Sequence, residues 1–380
     1  MTSISPEGSY PDISSQVIDA VRRRFAVTSE FRSESSTIEF NLSPEQHDTK
    51  ASFKSLVDEL SRYNLTAILR RKTDDSLLLL VIEKPAYRKQ RLKIPLILFF
   101  ATIIAVFADG FIRSYSYSDP VTPSVGISND ILFASIYVVA LLGILGTHEM
   151  GHKVASRVHK MKSSWPYFIP GIPSVIPTFG AVISAADPPP NRDALFDLGL
   201  SGPVAGLGVT VIVSIFAAMS ARLIPLSSYP ANSTFSSFDS YTSFIMNLIR
   251  PGSSNMVTGG ALFYLLYFAY SLGFFVTFIN LLPAWQLDGG HIANSAVSPK
   301  VHQILTFVTI IVMFVIGLFL MALLILLMYG RAPSLRPLDD VSPLSNSRKV
   351  IFILTWILAA SIGAFVILNN PIFSLSLFKL

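Results

Sequence analysis

His148 and His152 stand four residues apart, with Glu149 directly after the first. On a helix that spacing puts both imidazoles on one face, where they can hold a single Zn²⁺. Glu149 is placed to act on water at that metal rather than to ligate it. Bound zinc brings the pKa of a water to about 7, within range of a carboxylate base, so the chemistry would be hydrolysis. A catalytic zinc needs a third protein ligand and an open position. The 380-residue chain has no cysteine, which excludes thiolate ligands and disulfides and leaves His, Asp and Glu. Asp288, in the run Asn280-Leu281-Leu282-Pro283-Ala284-Trp285-Gln286-Leu287-Asp288-Gly289-Gly290-His291, is the best candidate.

A His-Glu-x-x-His pattern arises by chance in many helices. Here it lies in the apolar stretch IYVVALLGILGTHEMGHKVA. Ionisable groups are costly in a membrane and default to a functional reading there. The remaining histidines read differently. His159 sits among Arg157, Lys160 and Lys162 and reads as an interfacial, solvated residue. His302 opens an apolar run, where an interfacial role is expected, and His47 reads as exposed. His291 is open between a partner of the ligands, a spare ligand and a loop or cap role. Asp187, Asp193 and Asp197 read as interfacial caps.

These residues must be positioned by membrane helices. The chain is 51% hydrophobic and only 14% charged, against about 25% charged in a soluble globular chain. Its net charge of +5 could suggest nucleic acid, but the basic residues flank apolar runs and read as orientation signals, so no nucleic-acid partner is expected. The polar N-terminus lacks an apolar core, and no cleaved signal peptide is expected. A bilayer needs about 20 apolar residues in a helix. Candidate spans are 94–111, 131–158, 197–223, 260–282, 302–329 and 349–368. The segment 163–196 is apolar yet carries Pro166, Pro170, Pro173, Pro177 and Pro188 to Pro190, which precludes a regular helix and suggests a re-entrant or interfacial loop.

Orientation follows from Lys and Arg. The segment RKQRLK at 88–93 puts residues 1–86 in the cytoplasm, and Arg157, Lys160 and Lys162 mark a cytoplasmic exit of the second span. The third span returns outward and the fourth inward, so the histidine pair and Asp288 both lie near the ends of inward-running helices. His152 would sit roughly 8 Å above Arg157 along the axis, in the cytoplasmic part of the bilayer. One segment disagrees: 330–349 is basic, yet simple alternation puts it outside. Either the long fifth span is bent or re-entrant, or the rule fails there.

Residues 1–86 read as a soluble cytoplasmic α/β domain of regulatory type. A strand at 37–43, a helix at 45–62 burying Phe53, Leu56, Val57 and Leu60, and a hairpin of 66–72 with 76–83 around Thr73-Asp74-Asp75 give a β-α-β-β unit of ferredoxin-like character. The expected fold is therefore an α-helical polytopic membrane protein of about six spans with a re-entrant or hairpin-like loop and a small N-terminal α/β domain. Residues 87–300 form its core and 301–380 its C-terminal helices.

The chain resembles the site-2 protease family of intramembrane metalloproteases. The matching elements, in the family's order, are HEMGH at 148–152, the run Ser201-Gly202-Pro203-Val204-Ala205-Gly206, and NLLPAWQLDGGH at 280–291. They cover roughly residues 94–300, and PTFGAV at 177–182 is similar to the archaeal and plastid branch. The resemblance implies that His148, His152 and Asp288 ligate one Zn²⁺ per chain and that Glu149 is the general base. It implies that Asn280 holds the substrate backbone or stabilises the oxyanion. A helix-capping role for Asn280 is as consistent with its place at the end of an apolar helix. The implied partners are single-span membrane-protein substrates, entering laterally from the bilayer and unwinding near the metal. The loop 163–186 could offer such a substrate a strand edge. The competing reading is a non-proteolytic metal-binding transporter or scaffold; a hydrolase of soluble substrates would keep the same site.

Overall fold

The computed structural model describes residues 10–32, 37–43, 49–72, 76–84, 92–117, 126–184, 187–225, 240–252, 256–329 and 335–369. His47, the turn 73–75 and the basic residues 88–91 lie outside the described residues. The chain divides into two compact units.

The smaller unit runs from Met1 to Lys89 and also takes in Asp187–Leu195 and Leu335–Asn346. Its elements are α1 (Tyr10–Arg22), β1 (Val27–Arg32), β2 (Ile38–Leu42), α2 (Thr49–Leu60), β3 (Leu65–Arg71) and β4 (Leu77–Glu83). The sheet is antiparallel in the order β1-β2-β4-β3. The series α-β-β-α-β-β is a circular permutation of the ferredoxin-like β-α-β-β-α-β series. Helix α1 and strand β1 extend the four elements expected from sequence; β1 is largely exposed, which leaves it a weak alternation signal. On β4, Leu77, Leu79 and Val81 alternate inward, and α2 turns Phe53, Leu56 and Leu60 onto them.

The β3 edge is bridged by distant sequence. Leu69 on β3 donates its N–H to the Leu338 carbonyl at 2.8 Å, and bridges join Asp339 to Leu69 and to Asn191. Arg70 reaches the carbonyls of Pro337 and Leu338, both at 2.8 Å. Lys50 pairs with Asp193 at 2.6 Å, and Leu338 is buried in the same core. Asp193, expected as a cap, thus also bonds Lys50 and the Ser345 amide.

The larger unit is helical: α3 (Lys93–Ser116), α4 (Ile127–Val158), α5 (Arg192–Ser220), α6 (Ser240–Ile249), α7 (Ala261–Leu281), α8 (Asp288–Ala296), α9 (Pro299–Val315), α10 (Phe319–Tyr329) and α11 (Asn346–Asn369). Among the described residues, α3, α4, α5, α7 and α11 are long and apolar enough to cross a membrane. The protein is a multi-pass integral membrane protein. Residues 167–182 form a hairpin of β5 (Tyr167–Ile172) and β6 (Ile176–Val182), so the proline-rich stretch is extended rather than irregular. Two short strands, β7 (Arg222–Pro225) and β8 (Met256–Gly259), pair between α5 and α7.

Contacts fix the helix directions. Asp109 and Ser114 of α3 meet Tyr137 and Asp130 of α4, so these two run antiparallel. Gly151 of α4 lies against Ser201 of α5, and Gly206 against His148, which is again antiparallel. Tyr137, Ile144 and His148 of α4 meet Phe268, Gly273 and Asn280 of α7 in that order, so α4 and α7 are parallel. On α11, Arg348 binds Asp197 near the start of α5, while Gly363 and Phe365 meet Phe278 and Phe274 in reverse order. One end of the bundle therefore collects the start of α3, the end of α4, the start of α5, the end of α7 and the start of α11.

The segment 302–329, expected as one span, is two helices. Gly317 breaks it with φ 86°, in the left-handed region that suits glycine. Phe314 then packs on Phe319 with ring centroids 5.9 Å apart, and Phe307 on Tyr329 at 5.4 Å. In a continuous helix Phe307 and Tyr329 would lie about 33 Å apart. The chain therefore reverses at Gly317 as a helical hairpin, whose 17- and 11-residue arms are each short of a bilayer.

Candidate metal centre

Helix α4 carries His148, Glu149 and His152 on buried turns. Glu149 is 8% exposed and His148 5%. His148 Nε2 lies 3.2 Å from His152 Nε2, and the two rings are set edge to face. Asp288, the first residue of α8, brings Oδ2 within 3.1 Å of His148 Nε2 and Oδ1 within 3.4 Å of His152 Nε2. The parallel course of α4 and α7 brings Asp288 there, because the loop Leu282–Leu287 turns the chain straight into α8.

Several observations test whether these residues fit a metal ion. Their ligating atoms all lie within 4.8 Å of one another. A tetrahedral ion with bonds of about 2.0–2.1 Å would hold its ligand atoms about 3.3–3.4 Å apart, close to the observed 3.1–3.4 Å. Asp288 Oδ2 is buried and makes no hydrogen bond, an arrangement that costs free energy unless a cation answers it. His152 Nδ1 stands 2.8 Å from the Leu198 carbonyl, which can only accept. A proton on Nδ1 answers that carbonyl, which would leave Nε2 to offer its lone pair to a cation. The set fits Zn²⁺.

Close packing of α5 makes room for the site. A Cβ on Gly202 would fall 2.1 Å from His152 Nε2, and one on Gly151 would fall 2.4 Å from the Ser201 carbonyl oxygen. Gly202 and Gly206 are the i, i+4 pair that lets membrane helices approach closely. Sequence reading quoted the run 201–206 without giving it this task; its four-residue glycine spacing was the available signal.

Asn280, at the end of α7, places Nδ2 3.4 Å from His148 Nε2 and so joins the cluster. The backbone of Ile183, just past β6, hydrogen-bonds Glu149. His291 is outside the three-residue cluster; burial pushes its pKa down to about 4, and its Nδ1 is buried without a hydrogen-bond partner. His302 is 2% exposed and hydrogen-bonds the Gly290 backbone of α8. The expected interfacial role is thus replaced by one under the Asp288 helix. Four residues on, Thr306 Oγ1 accepts the N–H of Trp285, whose φ is 43°. His159 is also not solvated: its Nε2 lies 2.9 Å from Asp197, which Arg348 binds with Nε at 2.7 Å and Nη2 at 2.6 Å. Asp197, expected as a cap, instead ties α4, α5 and α11 together.

Comparison with known proteins adds the lineage. The family model described as Peptidase family M50 matches residues 136–324. The "Probable zinc metalloprotease EGY1, chloroplastic" of Arabidopsis thaliana is 43% identical over 77 residues, covering 20% of this chain and 13% of that protein. Its namesake from Oryza sativa subsp. japonica is 31% identical over 163 residues, covering 41% and 27%. The "Probable zinc metallopeptidase EGY3, chloroplastic" of Arabidopsis thaliana is 28% identical over 195 residues, covering 47% and 32%. The match thus spans less than a third of each of these relatives' length. No solved structure matches. Through residues 136–324, which hold the histidine pair, its glycine-lined partner helix and Asp288, the chain belongs to peptidase family M50, the site-2 protease family, in its plastid-like branch.

Proposed function

We propose that the protein is a zinc-dependent intramembrane endopeptidase that cuts membrane-protein substrates within or near their transmembrane segments. The observation that carries this reading is the buried convergence of His148, His152 and Asp288 beside the Glu149 carboxylate. The M50 match and the zinc metalloprotease names of the relatives support it. His148, His152 and Asp288 would hold the ion. When bound, zinc supplies Lewis acidity, which polarises a carbonyl and acidifies water. Glu149 takes a proton from the attacking water as its oxygen bonds to the scissile carbon. It returns that proton to the leaving nitrogen as the C–N bond breaks. Asn280 donates its amide N–H to the carbonyl oxygen as negative charge develops there. The β5–β6 hairpin offers an extended edge for a substrate helix that has unwound, as a helical backbone must before its bonds can be attacked. A transporter or inert scaffold is not favoured, since neither needs a buried carboxylate beside the ligands.

A direct test is metal removal. Chelator-stripped protein should stop cutting a single-span reporter in liposomes, and added Zn²⁺ should restore the cut. Cleavage that persists without metal would end this reading.

The same reading assigns the topology. In one folded unit, residues before 85, residues 187–195 and residues 335–346 share one side of the bilayer. An even number of crossings must separate each pair. Helices α3 and α4 supply two, and α5 and α7 supply two. The α9–α10 hairpin then enters and leaves on the same side, and α11 is the fifth crossing among the described residues. This removes the conflict in the charge pattern, because Arg348 and Lys349 rejoin Arg157, Lys160 and Lys162 at the metal-bearing end, the cytoplasmic or equivalent side. The chain has no native cysteine, so single-cysteine variants report cleanly. Lys300→Cys and Ser347→Cys should react with an impermeant maleimide from one side, and Ser116→Cys from the other. Labelling of Lys300→Cys and Ser347→Cys from opposite sides would make 299–329 a true crossing.

A further inference from the structure

Asp109 lies in the second half of α3 and is 0% exposed. A carboxylate at such a place in a membrane helix is costly unless it has a task. Its Oδ2 accepts from Arg113 Nε at 2.8 Å and from the Tyr137 hydroxyl at 3.0 Å. The Arg113 guanidinium rests 4.0 Å from the centroid of the Phe268 ring. Those contacts join α3, α4 and α7. The other oxygen does something different: Oδ1 accepts the backbone N–H of Ser174 at 2.7 Å.

Ser174 is in the turn of the β5–β6 hairpin. Val175 donates to the Ile172 carbonyl at 3.1 Å, Pro173 takes the second position, and Ser174 takes the third with φ 68°. That is the pattern of a type II turn, whose third position normally falls to glycine. Serine is held there against its steric preference, and the outward-pointing amide is bonded by Asp109. The opposite end of the hairpin is tied to Glu149 through Ile183. Tyr137, beside Asp109, and Glu149 are twelve residues apart on α4, about 18 Å along the helix. The hairpin is thus pinned at two depths, one of them the candidate catalytic carboxylate.

We propose that Asp109 is a positioning residue that sets the register of the hairpin edge against Glu149. It thereby selects which peptide bond of an extended substrate is cut. The proposal rests on the endopeptidase reading above and deepens it. A strand that slips while keeping its side chains on their faces must slip by two residues, so loss of the anchor has a specific signature.

The experiment compares wild type, Asp109→Ala, Ser174→Gly and the double variant in liposomes. Each is assayed for zinc content, for reporter products by mass spectrometry, and for the mobility of a nitroxide on Val175→Cys. Asp109→Ala should keep its zinc and free the label. It should raise KM about tenfold with kcat changed less than about twofold, and add products cut two residues from the main site. Ser174→Gly allows the turn its conformation unaided, so the double variant should recover the main product. Unchanged products and label mobility in Asp109→Ala would overturn the proposal. So would a joint loss of zinc and cleavage that Ser174→Gly fails to repair, which would make Asp109 a general fold residue. A wild type that cuts no reporter would remove the endopeptidase reading and this one together, whereas those failures of Asp109→Ala remove only this one.

Discussion

Glu149→Gln should lower cleavage of a membrane reporter by about 10²–10⁴-fold, the range for removing a general base, while the protein keeps its zinc. The substitution preserves size and removes only the capacity to take a proton. Glu149 is not among the three residues whose atoms converge on the metal position, so occupancy should not depend on it. The separation of the two readouts is the point. His148→Ala, His152→Ala or Asp288→Ala should lose metal and activity together. If Glu149→Gln cut the reporter at the wild-type rate, the assignment of the base would be wrong even with zinc bound. If it lost zinc as well, Glu149 would count as a ligand.

The second large effect comes from a residue with no functional group. Gly202→Ala should weaken zinc binding on the order of 10- to 100-fold, the cost typical of disturbing what orients a ligand. The added methyl would stand 2.1 Å from His152 Nε2, the atom that faces the metal. Relief requires either rotating the imidazole off the Leu198 carbonyl or forcing α5 away from α4. Gly208 is the internal control. It lies on the same helix, and a Cβ there meets nothing within 4 Å. Gly208→Ala should retain full zinc content, measured by the same metal analysis. Equal behaviour of the two variants would show that helix packing at Gly202 does not shape the site.

Much of the site was legible because its chemistry is local. The four-residue histidine spacing, the adjacent glutamate and the apolar surroundings are properties of one helix. Asp288 was read from the run that follows an apolar helix, with the count of helix directions as its check; α4 and α7 run parallel. What sequence could not supply were contacts between residues distant in the chain. The Leu198 carbonyl that fixes the His152 tautomer is a backbone atom with no residue signature. His159 looked solvated because its neighbours are basic, yet its partner Asp197 is 38 residues away. His302 looked interfacial because it opens an apolar run, but the run folds under α8. The fold failed at one hydropathy signal: 302–329 is uniformly apolar, so nothing in its average marks the reversal, and Gly317 alone carries the information. The compact unit around the small sheet also takes in 187–195 and 335–346, which no local pattern ties to residues 1–86.

The β3 edge is bridged by Leu338 and Asp339, so that edge is still uncovered when the four strands of the sheet leave the ribosome. The residues that cover it follow α3, α4, α5, α7 and the α9–α10 hairpin in the chain. On the topology proposed above, a helix threaded the wrong way would leave 187–195 or 335–346 across the bilayer from that edge, and the edge open.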